Sequence, residues 1–93
     1  MNIYIIRRKG LCDYDEYDSA VVVAESEEDA KKINPDRKCF WENDSWYYLN
    51  SINEKCKVYF GGWVTPSQVD VEKIGIADLS QEKGVVVSSF NAG

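Results

Sequence analysis

The spacing of hydrophobic and polar positions divides this chain into readable and unreadable stretches. From Asn2 to Arg8 the apolar residues fall on both sides of an extended chain, Ile3 and Ile5 on one face and Tyr4 and Ile6 on the other, until the arginines begin. That pattern predicts a strand, and one apolar on both faces tends to be central. Residues 9–18, KGLCDYDEYD, form a polar connection containing Gly10. Ser19 to Glu25, SAVVVAE, is rich in β-branched residues and predicts a second strand, paired with the first as an antiparallel hairpin with a long loop. A helix start follows at Ser26-Glu27-Glu28-Asp29, where Ser26 can cap and three acids occupy the favoured end of the dipole. Asn34-Pro35 ends it, because a residue before proline is pushed out of helical geometry. The helix, Ser26 to about Ile33, has only Ala30 and Ile33 to bury and must lean on the sheet.

Residues 34–55 carry aromatic mass in Phe40, Trp41, Trp46, Tyr47 and Tyr48 without a clean period. Trp46 to Leu49 reads as a short strand, Asn50 to Lys55 as a turn, and Cys56 to Phe60 as the returning strand of a hairpin. Gly61-Gly62 breaks that strand, and Thr65-Pro66 makes another turn. From Val69 the alternation is plain: Val69, Val71 and Lys73 share one face, Asp70 and Glu72 the other, and Ile74 to Ala77 continue as an apolar run. After the polar turn Asp78 to Lys83, Gly84 to Phe90 is apolar on both faces and predicts a buried strand intolerant of truncation. The expected fold is a single α+β domain over residues 1–93: a small antiparallel sheet of four to six strands with one short helix packed on one face.

Composition narrows the function. The formal charge is −5, and eight acids but no base lie between Asp13 and Asp29. Bases gather at Arg7-Arg8-Lys9, Lys31-Lys32 and Arg37-Lys38. A bipolar surface of this sign argues against binding to duplex nucleic acid, which needs a surplus of cations to displace counterions. The chain has no histidine, which removes Ser–His and Cys–His pairs and every His-containing zinc site. Cys12, Cys39 and Cys56 are odd in number and widely spaced, so they read as free thiols, with no disulfide framework, redox dithiol or structural zinc site expected. No phosphate-binding glycine motif is present. The opening residues run apolar and then basic, the reverse of a secretory leader, and no apolar run approaches bilayer length, so a cytoplasmic location is expected. Neither a cofactor nor a metal is expected.

Four features remain as candidates for chemistry. The acidic loop Asp13-Tyr14-Asp15-Glu16-Tyr17-Asp18 reads as a cation site, a partner-contacting loop or a solvated loop; it lacks the spacing and glycine of a calcium loop. Arg7, Arg8 and Lys9 form the only run of three cations and offer an anion site, although Arg7 and Arg8 fall on opposite faces of a strand and also suit surface ion pairs. Trp41, Trp46 and Trp63 can stack on a ring or build core, with Gly61-Gly62 allowing close approach beside Trp63. Cys12 sits among acids, which disfavour a thiolate.

The stretches I-Y-I-I-R-R-K-G, Y-D-E-Y-D-S-A-V-V-V-A-E-S-E-E-D-A and G-V-V-V-S-S-F-N-A-G resemble those of a group of small phage- and prophage-encoded accessory proteins, some uncharacterised and some acting against bacterial defence. The match covers both ends and leaves the middle, residues 36–62, poorly covered. The resemblance implies no catalytic motif and transfers no site residue. It implies a non-catalytic binding protein in the host cytoplasm, either sequestering a nucleotide-derived defence signal or blocking a host defence protein through its acidic surface. A carboxylate-dependent enzyme is the remaining alternative. For the first reading, the expected site is a cleft in a homo-oligomer formed by Arg7, Arg8 and Lys9, with Tyr14 and Tyr17 closing over the ligand and Trp63 stacking on it.

Overall fold

The computed structural model describes residues 1–10, 16–58, 62–78 and 80–91. Among the described residues, seven strands and one short helix occur in the order β1 (Asn2–Arg8), β2 (Glu16–Ala24), α1 (Glu27–Lys31), β3 (Cys39–Glu42), β4 (Ser45–Leu49), β5 (Lys55–Lys57), β6 (Val69–Ile76) and β7 (Gly84–Asn91), with a 3₁₀ turn at Pro66–Gln68 before β6. They form two antiparallel sheets, one of four strands in the order β6-β1-β2-β7 and one of three in the order β3-β4-β5. The α+β class is as expected. The strands, however, are divided between two sheets where a single sheet of four to six was expected.

The doubly apolar β1 is a central strand, flanked by β2 and β6. Its pairing with β2 sets Tyr4 opposite Val22 and Ile6 opposite Ala20, and alternation puts these four on one face. That face is the core: Tyr4, Ile6, Ala20, Val22, Ala24 and Val69 are buried together with Ala30 of α1 and with Trp46 and Trp63. Ile6 and Val22 are fully enclosed. On the opposite face Ile3, Ile5 and Val21 are half-buried, and Val23 is buried.

Ser26 caps α1 as expected, its Oγ accepting from the Asp29 amide at 3.2 Å. The helix is shorter than the sequence suggested. Ile33 leaves it to form an isolated antiparallel bridge with Phe40, so a non-local pairing claims a residue that periodicity assigned to the helix. The β3–β4 hairpin turns through Asn43 and Asp44, both with positive φ (49° and 60°). Such two-residue loops match the twist of paired strands, and Asn and Asp tolerate the geometry. The sequence reading did not anticipate β3.

One expectation is corrected. Gly84–Phe90 was read as buried, yet β7 is an edge strand whose Val86 and Val87 side chains are 49% and 56% exposed. A run of valines looks the same whether it has two neighbouring strands or one; the number of neighbours is decided by topology. The side chain of Phe90 lies outside the described residues. Among the described residues, no helix is long and apolar enough to cross a membrane.

Candidate functional site

A cleft of about 700 Å³ is assembled from four segments of the chain. The connection from α1 to β3 contributes Asn34, Asp36, Lys38 and Cys39. This connection is stiffened locally: Asn34 is buried, its Oδ1 accepts from the Asp36 amide at 2.9 Å, and Asp36 Oδ1 accepts from the Lys38 amide at 3.0 Å. Two such turns in succession hold the backbone without regular structure.

From the small sheet come Trp46 and Tyr48 of β4, with Lys57 at the end of β5. Trp46 and Tyr48 share a face because they are two residues apart on one strand. Trp46 meets Trp41 edge-on with ring centroids 5.0 Å apart, and its Nε1 donates to the Val64 carbonyl at 2.9 Å. That bond ties the small sheet to the fourth segment, which brings Gly62, Trp63 and Thr65 to the cleft. Trp46 and Trp63 are each 7% exposed and form its floor, whereas Tyr48, 40% exposed, is the ring open to solvent. The floor carries a cost: Trp63 Nε1 is buried with no hydrogen-bond acceptor among the described residues. A donor left in that state costs about 1–3 kcal/mol.

The ionisable groups give the cleft its character. Among the described residues lining it, Lys38 and Lys57 are the cations and Asp36 is the carboxylate. The Cys39 thiol is pushed up to about 11, first by burial and then by the charge and hydrogen bond of Asp36. It therefore stays protonated near neutral pH, a poor nucleophile. Among the described residues, no group of three or more Cys, Asp or Glu side chains is placed to hold a metal ion.

The sequence-derived candidates fare unevenly. Arg7 is exposed, while Arg8 points to the other side of β1 and pairs with Glu16 at 3.1 Å, its Nη1 also 3.5 Å from the Tyr17 carbonyl. Lys9 pairs loosely with Asp70 at 3.8 Å. The three cations do not line the cleft described above: strand alternation separates the arginines, and neighbouring acids engage Arg8 and Lys9. Tyr14 lies outside the described residues. Tyr17 is half-buried against the core, and its phenol is pushed up by burial and by the nearby Asp36 and Cys39, which places it beside the cleft wall. Its amide donates to the Gly62 carbonyl at 2.8 Å, anchoring the segment that carries Trp63. Trp63 and Tyr17 are therefore brought together, and Arg7, Arg8 and Lys9 are not.

Sequence reasoning missed Lys38, Lys57, Tyr48 and Asp36. Lys38 and Lys57 are 19 residues apart and share a cleft only because β3, β4 and β5 pair. No signal in the sequence marked that pairing beyond the Asn43-Asp44 turn. The cleft lies within one chain, so a pocket between subunits is not required. Comparison with protein-family models, with curated proteins and with solved structures finds no match to this chain. A functional reading therefore rests on the chemistry of the cleft.

Proposed function

We propose that the protein is a non-catalytic binding protein that holds a small phosphorylated, nucleotide-like molecule in the cleft walled by Asp36, Lys38, Tyr48 and Lys57. One observation carries the reading: a single cleft of about 700 Å³ joins an open aromatic ring to two lysines. That volume falls within the roughly 300–1,000 Å³ of small-molecule sites. Tyr48 stacks on a base and the lysine ammonium groups meet the phosphate, leaving Asp36 to accept from exocyclic amines. The protonated thiol of Cys39 supports binding without turnover. The resemblance to phage accessory proteins gives the reading its setting, sequestration of a nucleotide-derived defence signal in the host.

The test is calorimetric titration with a panel of mononucleotides and cyclic dinucleotides, followed by chromatography of the recovered ligand. Lys38→Ala and Lys57→Ala should each weaken binding by about tenfold or more, the loss of a charge-assisted contact. The recovered ligand should be unaltered. Turnover would decide for an enzyme, and the absence of binding across the panel would sink the reading.

A second reading draws on the exposed acids Asp18, Glu25, Glu27 and Glu28, which face solvent near β2 and the start of α1. A basic surface of a host protein would fit them. Under that reading, the full-length protein co-purifies with one host protein and Glu25→Lys with Glu28→Lys abolishes the association.

A further inference from the structure

Two indoles floor the cleft, and their N–H groups differ. Trp46 and Trp63 are equally enclosed, each 7% exposed. Trp46 Nε1 donates to the Val64 carbonyl at 2.9 Å, whereas Trp63 Nε1 is buried without an acceptor among the described residues. A buried indole N–H usually has a partner, and one that lacks it calls for a physical reason. A phenylalanine ring would line the same floor without the orphaned donor.

The orphan does not come from a slack segment. The Gly62 carbonyl accepts from the Tyr17 amide at 2.8 Å, and the Val64 carbonyl accepts from Trp46. The backbone is thus tied on both sides of Trp63, which holds the ring against the cleft. A donor fixed in advance selects for an acceptor on an incoming molecule, because the fold has already oriented it.

The chemistry of that acceptor follows from the groups around it. Lys38 and Lys57, the cations among the described lining residues, suit a phosphate. The floor is made of rings, where a full negative charge would lose its hydration, so a neutral carbonyl oxygen is the fitting partner for a neutral N–H. Asp36 is an acceptor and suits an exocyclic amine. Guanine carries both a carbonyl and an exocyclic amine. Adenine carries its amine where guanine has the carbonyl, and in the same pose would set a donor against the indole donor.

We propose, on the nucleotide reading of the cleft given above, that Trp63 Nε1 is the group by which the site selects its base. It donates to the carbonyl of an oxo-purine and so favours guanine over adenine nucleotides. The donor is closed to bulk water, and the bond forms as the base seats on the floor and the rings adjust around it.

The experiment compares guanosine with adenosine nucleotides, as monophosphates and as cyclic dinucleotides, by calorimetric titration of the full chain. It is repeated after Trp63 is replaced by benzothienylalanine, which keeps the two-ring shape and puts sulfur in place of the N–H. The unaltered protein should bind the guanine nucleotide about tenfold more tightly, since the wrong base leaves the buried donor unpaired. The replacement should erase that preference by weakening the guanine nucleotide alone. It should melt at or above the temperature of the unaltered protein, because the orphaned donor is gone. Trp63→Phe should lose the preference too, whatever the smaller ring does to stability. In proton–nitrogen spectra, the indole signal that Trp63→Phe removes should move downfield when the guanine nucleotide is added. Equal affinity for the two bases, a preference that survives the replacement, or an indole signal that does not respond would overturn selection by Trp63 while leaving nucleotide binding in place. Binding of neither nucleotide would overturn the nucleotide reading and the selection together.

Discussion

The two sheets of this molecule are built from different side chains. The four-stranded sheet buries aliphatic residues, with Ile6, Val22 and Ala24 wholly enclosed between neighbouring strands and the layer above them. The three-stranded sheet carries five rings, of which Phe40, Trp41 and Tyr47 are half-buried. Phe40 stacks on Tyr47 at 6.2 Å, and Lys55 lies 4.8 Å over the Tyr47 ring. Of that sheet, only Trp46 enters the core. The first sheet is organised to exclude water, and the second spends its rings partly on the cleft. Stability should therefore reside in β1 and β2, and the binding surface in β3 to β5.

Removing Trp46 gives the largest effect, because this ring is the buried residue by which the small sheet enters the core of the large one. Trp46→Ala should cost about 3–5 kcal/mol and melt both sheets together. Ile6→Ala, which opens a cavity at the centre of the aliphatic layer, should cost about 2–5 kcal/mol. Thermal unfolding followed by far-ultraviolet and tryptophan signals checks both. Separate transitions for the two signals would break the link that the Trp46 Nε1 to Val64 bond makes.

A smaller loss tests whether α1 serves the aliphatic layer. Ser26→Ala removes the cap on the Asp29 amide and should cost about 1 kcal/mol in chemical denaturation. No change in the denaturation midpoint would show that packing of Ala30 alone holds the helix.

Alkaline pH probes the boundary between the sheets. The Cys39 thiol is raised from its ordinary 9.0 to about 11, and the Tyr17 phenol is raised as well. Groups raised in the folded state hold their protons more tightly there, so their contribution is fully present below the unfolded values and is lost as pH rises through the folded ones. Stability should begin to fall near pH 9 and continue falling through about pH 11, and Cys39→Ala should flatten that decline. At pH 8, below this range, Cys39 should alkylate on the order of a hundredfold more slowly than a free thiol.

The smallest effect belongs to the outer face of the small sheet. Lys55→Ala breaks the 3.2 Å pair with Glu42 and the contact with Tyr47. Both are exposed, so the cost should stay under about 1 kcal/mol. A larger loss would mean that the outer rings contribute to the fold as the core does.

The regular half of the fold was legible because its periodicity is local. The boundaries of β1 agree with the sequence reading, β6 begins at Val69 where alternation starts, and Ser26 caps α1. The candidate site was far less so. Trp63 and Tyr17 were singled out as single residues and do come together, but Arg7-Arg8-Lys9 drew attention as a run in sequence, and a run on a strand is split between two faces. Lys38 was noted only within the Arg37-Lys38 pair and Lys57 was not singled out, since nothing local in the sequence links two lysines 19 residues apart.

By itself, then, the sequence determined the extent of β1, where β6 and the short helix begin, and that a second strand follows the first as its hairpin partner. Each of these follows from forces that act over a few residues: side-chain alternation, capping, and the exclusion of helix before proline. The division into two sheets, the edge position of β7 and the convergence of Asp36, Lys38, Tyr48 and Lys57 were decided only by tertiary structure. They depend on which strands pair across the chain, and a strand's own residues state how it will extend but not how many neighbours it will have.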